Sequence, residues 1–282
     1  MGFRDEDKLT YAPADLDAAV AAVRARSSLA PRLALILGSG LGAYADGFKE
    51  RVAVDYTDLP GFPVSTVEGH AGRLVLGTVS GVPAVAQQGR FHPYEGYSAA
   101  EVTFPLRVMH ALGARILIVT NAAGGANPLH EPGDLMLIED QVNFQFRSPL
   151  RGSGPLLDAS RFADLSRPFS PRLLAVARRT SATGAFGTVH TGTYWGNLGP
   201  AYETRAEIAM IRRLGGDAVG MSTVAEVIVA AQLAMEVLGI TCISNPAAGL
   251  SPERLGHQEV IDVTAGIRGT FTRFLDSLAP QL

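Results

Sequence analysis

Short apolar runs of β type alternate along this 282-residue chain with stretches of helical period, and that alternation admits little besides a layered α/β fold. Residues 15–26 predict an amphipathic helix and 32–37 a buried strand. Two adjacent strands are expected over 73–79 and 82–87, turning at Gly81. Ser98-Ala-Ala-Glu101 is a capping box, and the helix it opens is expected to run to about Leu112. Strands follow over 115–120 and 134–140. Residues 149–171, rich in Gly, Pro and Ser, predict a long irregular loop of the kind that often carries function. Helices are expected over 171–183, 206–214 and 224–238, a strand over 239–244, and a closing helix over 258–278.

Composition narrows what such a fold can do. Hydrophobic residues make up 47% and charged residues 18%, which argues against disorder. A net charge of −3 offers no basic surface for nucleic acid, so an anionic ligand needs a local cluster of donors. The one cysteine, Cys242, allows no internal disulfide and lies in an apolar run, where a buried small hydrophobe is expected rather than a nucleophile. No apolar run approaches the roughly 20 residues that span a bilayer. Residues 1–8 are charged with no apolar stretch behind them, unlike a secretory signal. The expectation is a cytoplasmic enzyme with no membrane and no nucleic-acid partner.

Glycines and polar residues gather just past the ends of the expected strands, at 38–42, 88–94, 121–125 and 244–249. Ligands of open α/β sheets usually bind there. Gly38-Ser-Gly-Leu-Gly-Ala43 satisfies the dinucleotide fingerprint, but that fingerprint needs a long helix behind it and an acidic residue about 20 positions on, at a strand end. Gly47 interrupts the segment and Asp58 lies in a Pro/Gly stretch, so NAD is disfavoured. A short anion loop, with Ser39 adding a hydroxyl, and a plain tight turn both remain open. In Gln88-Gly-Arg-Phe-His-Pro-Tyr94, Arg90, His92 and Tyr94 alternate, which in an extended segment puts them on one face. A planar arginine fork there can grip two phosphate oxygens.

At this point a resemblance becomes specific. Leu37-Gly-Ser-Gly-Leu-Gly42, Gly69-His-Ala-Gly-Arg73, Gln88-Gly-Arg-Phe-His92 with Tyr94-Glu-Gly-Tyr97, and Thr120-Asn-Ala-Ala-Gly-Gly125 occur in this order. Gly199-Pro-Ala-Tyr-Glu-Thr204, Asp217-Ala-Val-Gly-Met-Ser-Thr223, Ser244-Asn245 and His257-Gln-Glu-Val260 follow. Together, from about Leu33 to the C-terminus, they resemble the trimeric purine nucleoside phosphorylase family of 6-oxopurine type. The resemblance implies a single-domain, three-layer α/β fold over residues 1–282, a central mixed β-sheet flanked by helices, with 1–30 as an N-terminal helical segment.

It also implies roles. Phosphate would sit among Ser39, His70, Arg90, His92, the Ala122 backbone and Ser222. Tyr94, Met221 and His257 would contact ribose, with His257 on the 5′-hydroxyl. Tyr202, Glu203, Val219 and Asn245 would hold the base, Glu203 accepting N1–H and Asn245 donating to N7 or O6. His92, Glu203 and Asn245 would carry the catalysis. Phe162, in the long loop, would be lent to a neighbouring subunit of a homotrimer. No metal and no cofactor are implied, and inorganic phosphate is a co-substrate. The implied activity is phosphorolysis of inosine, guanosine and their deoxy forms.

Two segments depart from the family pattern. Pro246 follows Asn245, where an apolar residue or a lysine is expected, and it restricts Asn245 toward extended geometry. Trp195-Gly-Asn197 is an unusual lead-in to Gly199-Pro200. The competing readings are a methylthioadenosine phosphorylase, against which Glu203 and the polar His257 argue, a non-catalytic nucleoside-binding protein, and an NAD-dependent enzyme.

Overall fold

The computed structural model describes residues 11–66, 71–152, 156, 162–252 and 255–282, with only the backbone at 257. The readings placed on residues 1–8, on His70 and on much of the 149–171 loop lie outside the described residues.

Helix α1 (Pro13–Arg24) leads into strand β1 (Leu33–Leu37), whose five residues are all buried. Parallel neighbours on both sides, β4 (Val82–Gln88) and β5 (Ile116–Gly125), explain that unbroken apolar run. β3 (Arg73–Val79) and β2 (Lys49–Asp55) extend the sheet antiparallel beyond β4. Helix α2 (Ala99–Ala111) starts where expected. Ser98 Oγ accepts the Glu101 N–H at 3.2 Å and the Glu101 carboxylate accepts the Ser98 N–H at 2.8 Å.

The other half of the sheet closes on itself. β5 pairs in parallel with β9 (Glu236–Pro246), β9 antiparallel with β6 (Leu135–Asn143), and β6 in parallel with β7 (Val189–Gly196). β7 then pairs with β8 (Ala218–Gly220), and β8 returns antiparallel to the last two residues of β5. This five-stranded ring leaves no free edge. Helices α3 (Pro171–Ser181), α4 (Arg205–Arg213), α5 (Val224–Gln232) and α6 (His257–Leu278) complete the mixed α/β architecture. Among the described residues no helix is long and apolar enough to cross a membrane.

The expected helix over 224–238 is corrected here. It ends at Gln232, Ala234 takes the left-handed backbone (φ 53°), and β9 begins at Glu236. Val237 and Leu238 read as helix by apolarity, but pairing with β5 and β6 claims them. Three strands were not expected at all. β2 is a largely exposed edge, β7 is threonine- and glycine-rich, and β8 has three residues. The disfavoured NAD site finds no support: the glycine loop leads into a six-residue 3-10 turn (Gly42–Gly47), and Asp58 sits in another 3-10 turn beside Arg26.

The glycine loop is shaped by close approach. A Cβ on Gly38 would lie 2.8 Å from the Asn121 Cα and 2.9 Å from the Thr120 carbonyl oxygen, so β1 leaves the sheet against β5 backbone. Gly38 N–H donates to Thr120 Oγ1 at 3.1 Å, and that hydroxyl donates to the Ile36 carbonyl at 3.0 Å. Gly38→Ala is expected to cost about 1–3 kcal/mol, because backbone rather than a flexible side chain has to shift. Gly42→Ala, whose Cβ meets only Gln88 Cγ at 3.5 Å, should change stability by less than about 0.5 kcal/mol. Chemical denaturation of both variants checks the contrast.

Candidate active site

One cleft gathers most of the expected residues. Ser39, Arg90, His92, Tyr94, Ala122 and Ser222 line it, as do Tyr202, Glu203, Val219, Met221 and Asn245. It is partly open to solvent and lined by both polar and apolar groups, as small-molecule sites are. Three expected residues stand apart. His70 lies outside the described residues. His257 opens α6, whose early residue Val260 lines the cleft, but the histidine side chain is not described. Phe162 is 91% exposed and is not part of its own chain's cleft.

Arg90 projects from the segment after β4 into the interior and is 2% exposed. Its Nε donates to Glu226 Oε1 at 2.7 Å, and its Nη1 donates to the Thr120 carbonyl at 2.8 Å and to Ser222 Oγ at 3.0 Å. Glu226 is equally buried, in the first turn of α5. A buried guanidinium with a carboxylate on one edge is held in one orientation, and breaking such a pair leaves a costly lone charge.

Ser222 is presented by an unusual turn. Thr223 has φ 71° and ψ −47°, and the Val224 N–H donates to the Ser222 carbonyl at 2.7 Å. This is the strained hand of the γ-turn, rare for a β-branched residue and costing about 1–3 kcal/mol. Buried hydrogen bonds hold it: Asn121 Nδ2 donates to Thr223 Oγ1 at 2.9 Å, and Ser222 Oγ lies 3.1 Å from the same hydroxyl. The turn aims Ser222 at Arg90 and starts α5 in the direction that brings Glu226 to the same guanidinium.

His92 ends the extended run. Pro93–Glu95 is a 3-10 turn, so strict alternation stops at His92, and Tyr94 reaches the cleft by stacking on the imidazole (centroids 4.6 Å apart, planes at 15°). His92 Nδ1 lies 3.0 Å from Glu95 Oε1. Burial lowers the imidazole below its ordinary range; the Glu95 hydrogen bond pulls it back up and the Arg90 charge lowers it again. The ring is therefore neutral at pH 7, its proton on Nδ1 toward Glu95 and Nε2 in acceptor form. Burial alone would raise the Glu95 carboxyl, but hydrogen bonds from His92 and from the Thr66 hydroxyl and N–H hold it down at about 2.

A second group surrounds the end of β5. Gly124 pairs with Asn245 of β9 on one side and with Val219 of β8 on the other. The β5–β9 register slips between Ala123 and Gly124, leaving Ser244 bulged out of the ladder. The Ser244 hydroxyl donates to Asn245 Oδ1 at 2.7 Å, and Asn245 Nδ2 donates to the Pro246 carbonyl at 3.0 Å. That fixes the amide with its nitrogen as the donor offered to the cleft. Across from it, Glu203 Oε1 accepts from Asn197 Nδ2 at 2.6 Å. Tyr202, beside Glu203, is 42% exposed.

The sequence reading missed the residues that hold these groups. Glu95 lies three positions after His92 and inside a quoted motif, and Glu226 is the lone charge in an otherwise apolar helix. Both carried a signal. Asn121 and Ser244 sit in quoted motifs with no role assigned. Cys242 is fully buried in β9, and burial pushes its thiol up to about 12, as expected of an inert core residue.

A sequence model of the phosphorylase superfamily matches residues 32–280. Purine nucleoside phosphorylase 1 of Geobacillus stearothermophilus is 53% identical over 89% of this chain and 92% of its own length. Purine nucleoside phosphorylase 1 of Bacillus subtilis is 48% identical over 94% of this chain and 98% of its own. Crystal structures of the Schistosoma mansoni purine nucleoside phosphorylase, in complex with adenosine and with inosine, superpose at TM-scores of 0.90. They share 35% and 34% identity, over 96% of this chain and 98% and 97% of theirs. Matched from β1 to α6 and lined by the residues just described, the chain belongs to the purine nucleoside phosphorylase family.

Proposed function

We propose that the chain catalyses phosphorolysis of 6-oxopurine nucleosides, converting inosine, guanosine and their deoxy forms to the free base and (deoxy)ribose 1-phosphate. The observation that carries this reading is the meeting of two chemistries in one cleft. A buried arginine with a neutral histidine and serine hydroxyls suits an oxyanion, and a carboxylate opposite an oriented amide suits a purine edge. Phosphate is a co-substrate, and no cofactor or metal takes part.

In this reading Arg90, Ser39, Ser222 and the Ala122 backbone hold hydrogen phosphate, with His70 adding to them. The acceptor form of His92 Nε2 suits the phosphate O–H. Tyr94, Met221 and His257 position the ribose, His257 through the 5′-hydroxyl. Glu203 accepts the purine N1–H, Val219 and Tyr202 pack on the base, and Asn245 donates to N7. The C1′–N9 bond breaks with its electron pair going to the purine, and Asn245 stabilises the charge that develops there. The ribose passes through an oxocarbenium-like state that the phosphate dianion stabilises. A phosphate oxygen then bonds to C1′ with inversion, and the phosphate proton ends on the base. Adenine has no N1–H, so an ionised Glu203 would face its N1 lone pair, at a cost of roughly 1–3 kcal/mol or more.

The reading extends to assembly and place. The exposed Phe162 ring suits a neighbour's base site, and the half-exposed Tyr202 suits a cleft covered from outside, as in a homotrimer. The lone cysteine, which leaves no internal disulfide, fits a cytoplasmic setting.

Three outcomes are expected. Asn245→Ala should lower kcat for inosine about 10²- to 10³-fold, the size typical of one donor aimed at developing charge; a loss under threefold in steady-state assays contradicts its role. Phe162→Ala should raise the KM for inosine and leave the KM for phosphate unchanged. Glu95→Gln should raise the KM for phosphate about tenfold, because a neutral amide oxygen replaces the charged acceptor of the His92 Nδ1–H, with the KM for inosine unmoved. The last variant also bears on acid stability. A carboxyl lowered by folding stabilises above the ordinary glutamate value of about 4.3, and that contribution is lost as pH falls from there through about 2. Acid unfolding of Glu95→Gln should be less steep in that window, as followed by circular dichroism.

A further inference from the structure

We propose that Asn197 is a positioning residue that orients the Glu203 carboxylate and so sets the preference for bases carrying an N1–H; this rests on the reading of the cleft above. The residue belongs to Trp195-Gly-Asn197, the segment that departs from the family pattern, and the structure supplies a reason for the departure.

Asn197 is anchored before it acts. Its backbone N–H donates to the Gly220 carbonyl of β8 at 2.8 Å, and its carbonyl accepts from Gln145 Nε2 at 3.1 Å. Its Nδ2 then donates to Glu203 Oε1 at 2.6 Å. Among the described residues that is the one hydrogen bond recorded on the Glu203 carboxylate. The amide cannot be turned over, because Oδ1 would then bring an oxygen lone pair against a carboxylate oxygen. Asn197 Oδ1 is itself buried without a hydrogen-bond partner, so nothing else competes to rotate the amide.

Packing keeps donor and acceptor together. Trp195, 3% exposed, clusters with Ile208 and Ile211 of α4, the helix that starts two residues after Glu203. Its ring also packs on Phe144, with centroids 5.2 Å apart. The end of β7, which carries Asn197, and the start of α4, which follows Glu203, are thereby fixed to one apolar cluster. A carboxylate on a flexible stem would otherwise sample several rotamers. Held by one oxygen, it offers the other to the base in a single direction, as an acceptor and not as a donor. An N1–H is rewarded and a bare N1 is refused.

Two variants test this. Asn197→Leu keeps the branched shape but has no donor, and its apolar arm faces Trp195, Phe144 and Met210, which line the cavity behind Glu203. It should lower kcat/KM for inosine about ten- to a hundredfold, the effect of losing a charge-assisted hydrogen bond. The KM for phosphate should stay within twofold of the parent. Asn197→Asp sets two carboxyl groups in hydrogen-bond contact, where like charges make them share a proton. That proton is available to the N1 of adenine, so adenosine turnover relative to inosine should rise at least tenfold. Parent-like kinetics in both variants overturn the proposal, and so does a loss that raises the inosine and phosphate KM values equally, which marks general damage to the site. If the parent enzyme itself releases no hypoxanthine from inosine and phosphate, the functional reading falls and takes this inference with it; an active parent with indifferent variants sinks the Asn197 role alone.

Discussion

Everything in the cleft depends on how β5 ends. Its first half lies in the open sheet between β1 and β9, and its last two residues swing to β8 and close the ring. Gly124 is therefore paired with Asn245 on one side and Val219 on the other. The same slip in register pushes Ser244 out of the ladder and beside the Asn245 amide. Upstream on β5, Thr120 supports both the glycine loop and Arg90, and Asn121 supports the strained turn at Thr223. One strand thus sets the position of the amide and of the anion cluster, and the distance between them is built into its backbone.

Four polar groups facing the cleft are each held from behind by a second one. Glu226 holds Arg90, Glu95 holds His92, Ser244 holds Asn245 and Asn197 holds Glu203. These partners cost desolvation and strain, and they contribute little as isolated surface contacts would be reckoned. Their effect is to remove rotamer freedom in advance, so that a ligand meets dipoles already aimed and no reorganisation is needed during reaction. Where a backing group is itself a carboxylate it also sets protonation, as with Glu95 and the Nδ1 proton of His92.

Much of this was legible in the sequence. The buried strands β1, β3 and β4 announce themselves as apolar runs with turn residues between them, and α2 by its capping box. Eleven of the expected site positions converge on one cleft, because the ordered glycine, arginine and asparagine segments lie at the ends of sheet strands. The rest was hidden for physical reasons. Thr-, Gly- and His-bearing β7 has no apolar run to betray it, and three-residue β8 is too short to show any period. The break between α5 and β9 carries no glycine: Ala234 takes the left-handed position instead, and local periodicity cannot foresee that long-range pairing will claim Val237 and Leu238. The backing residues were missed because an isolated Glu or Asn gains its meaning only from what the fold places opposite it. Asn197 lies six positions before Glu203, and no local rule pairs them.

The central claim is that one cleft joins an oxyanion site to a base-reading pair for a phosphate-driven cleavage. The most direct test is hypoxanthine release from inosine by the purified protein, with and without inorganic phosphate, and with adenosine in parallel. The account predicts release from inosine that depends on phosphate, with adenosine turned over at least tenfold more slowly. Release that proceeds equally without phosphate, or no release at all, would contradict it.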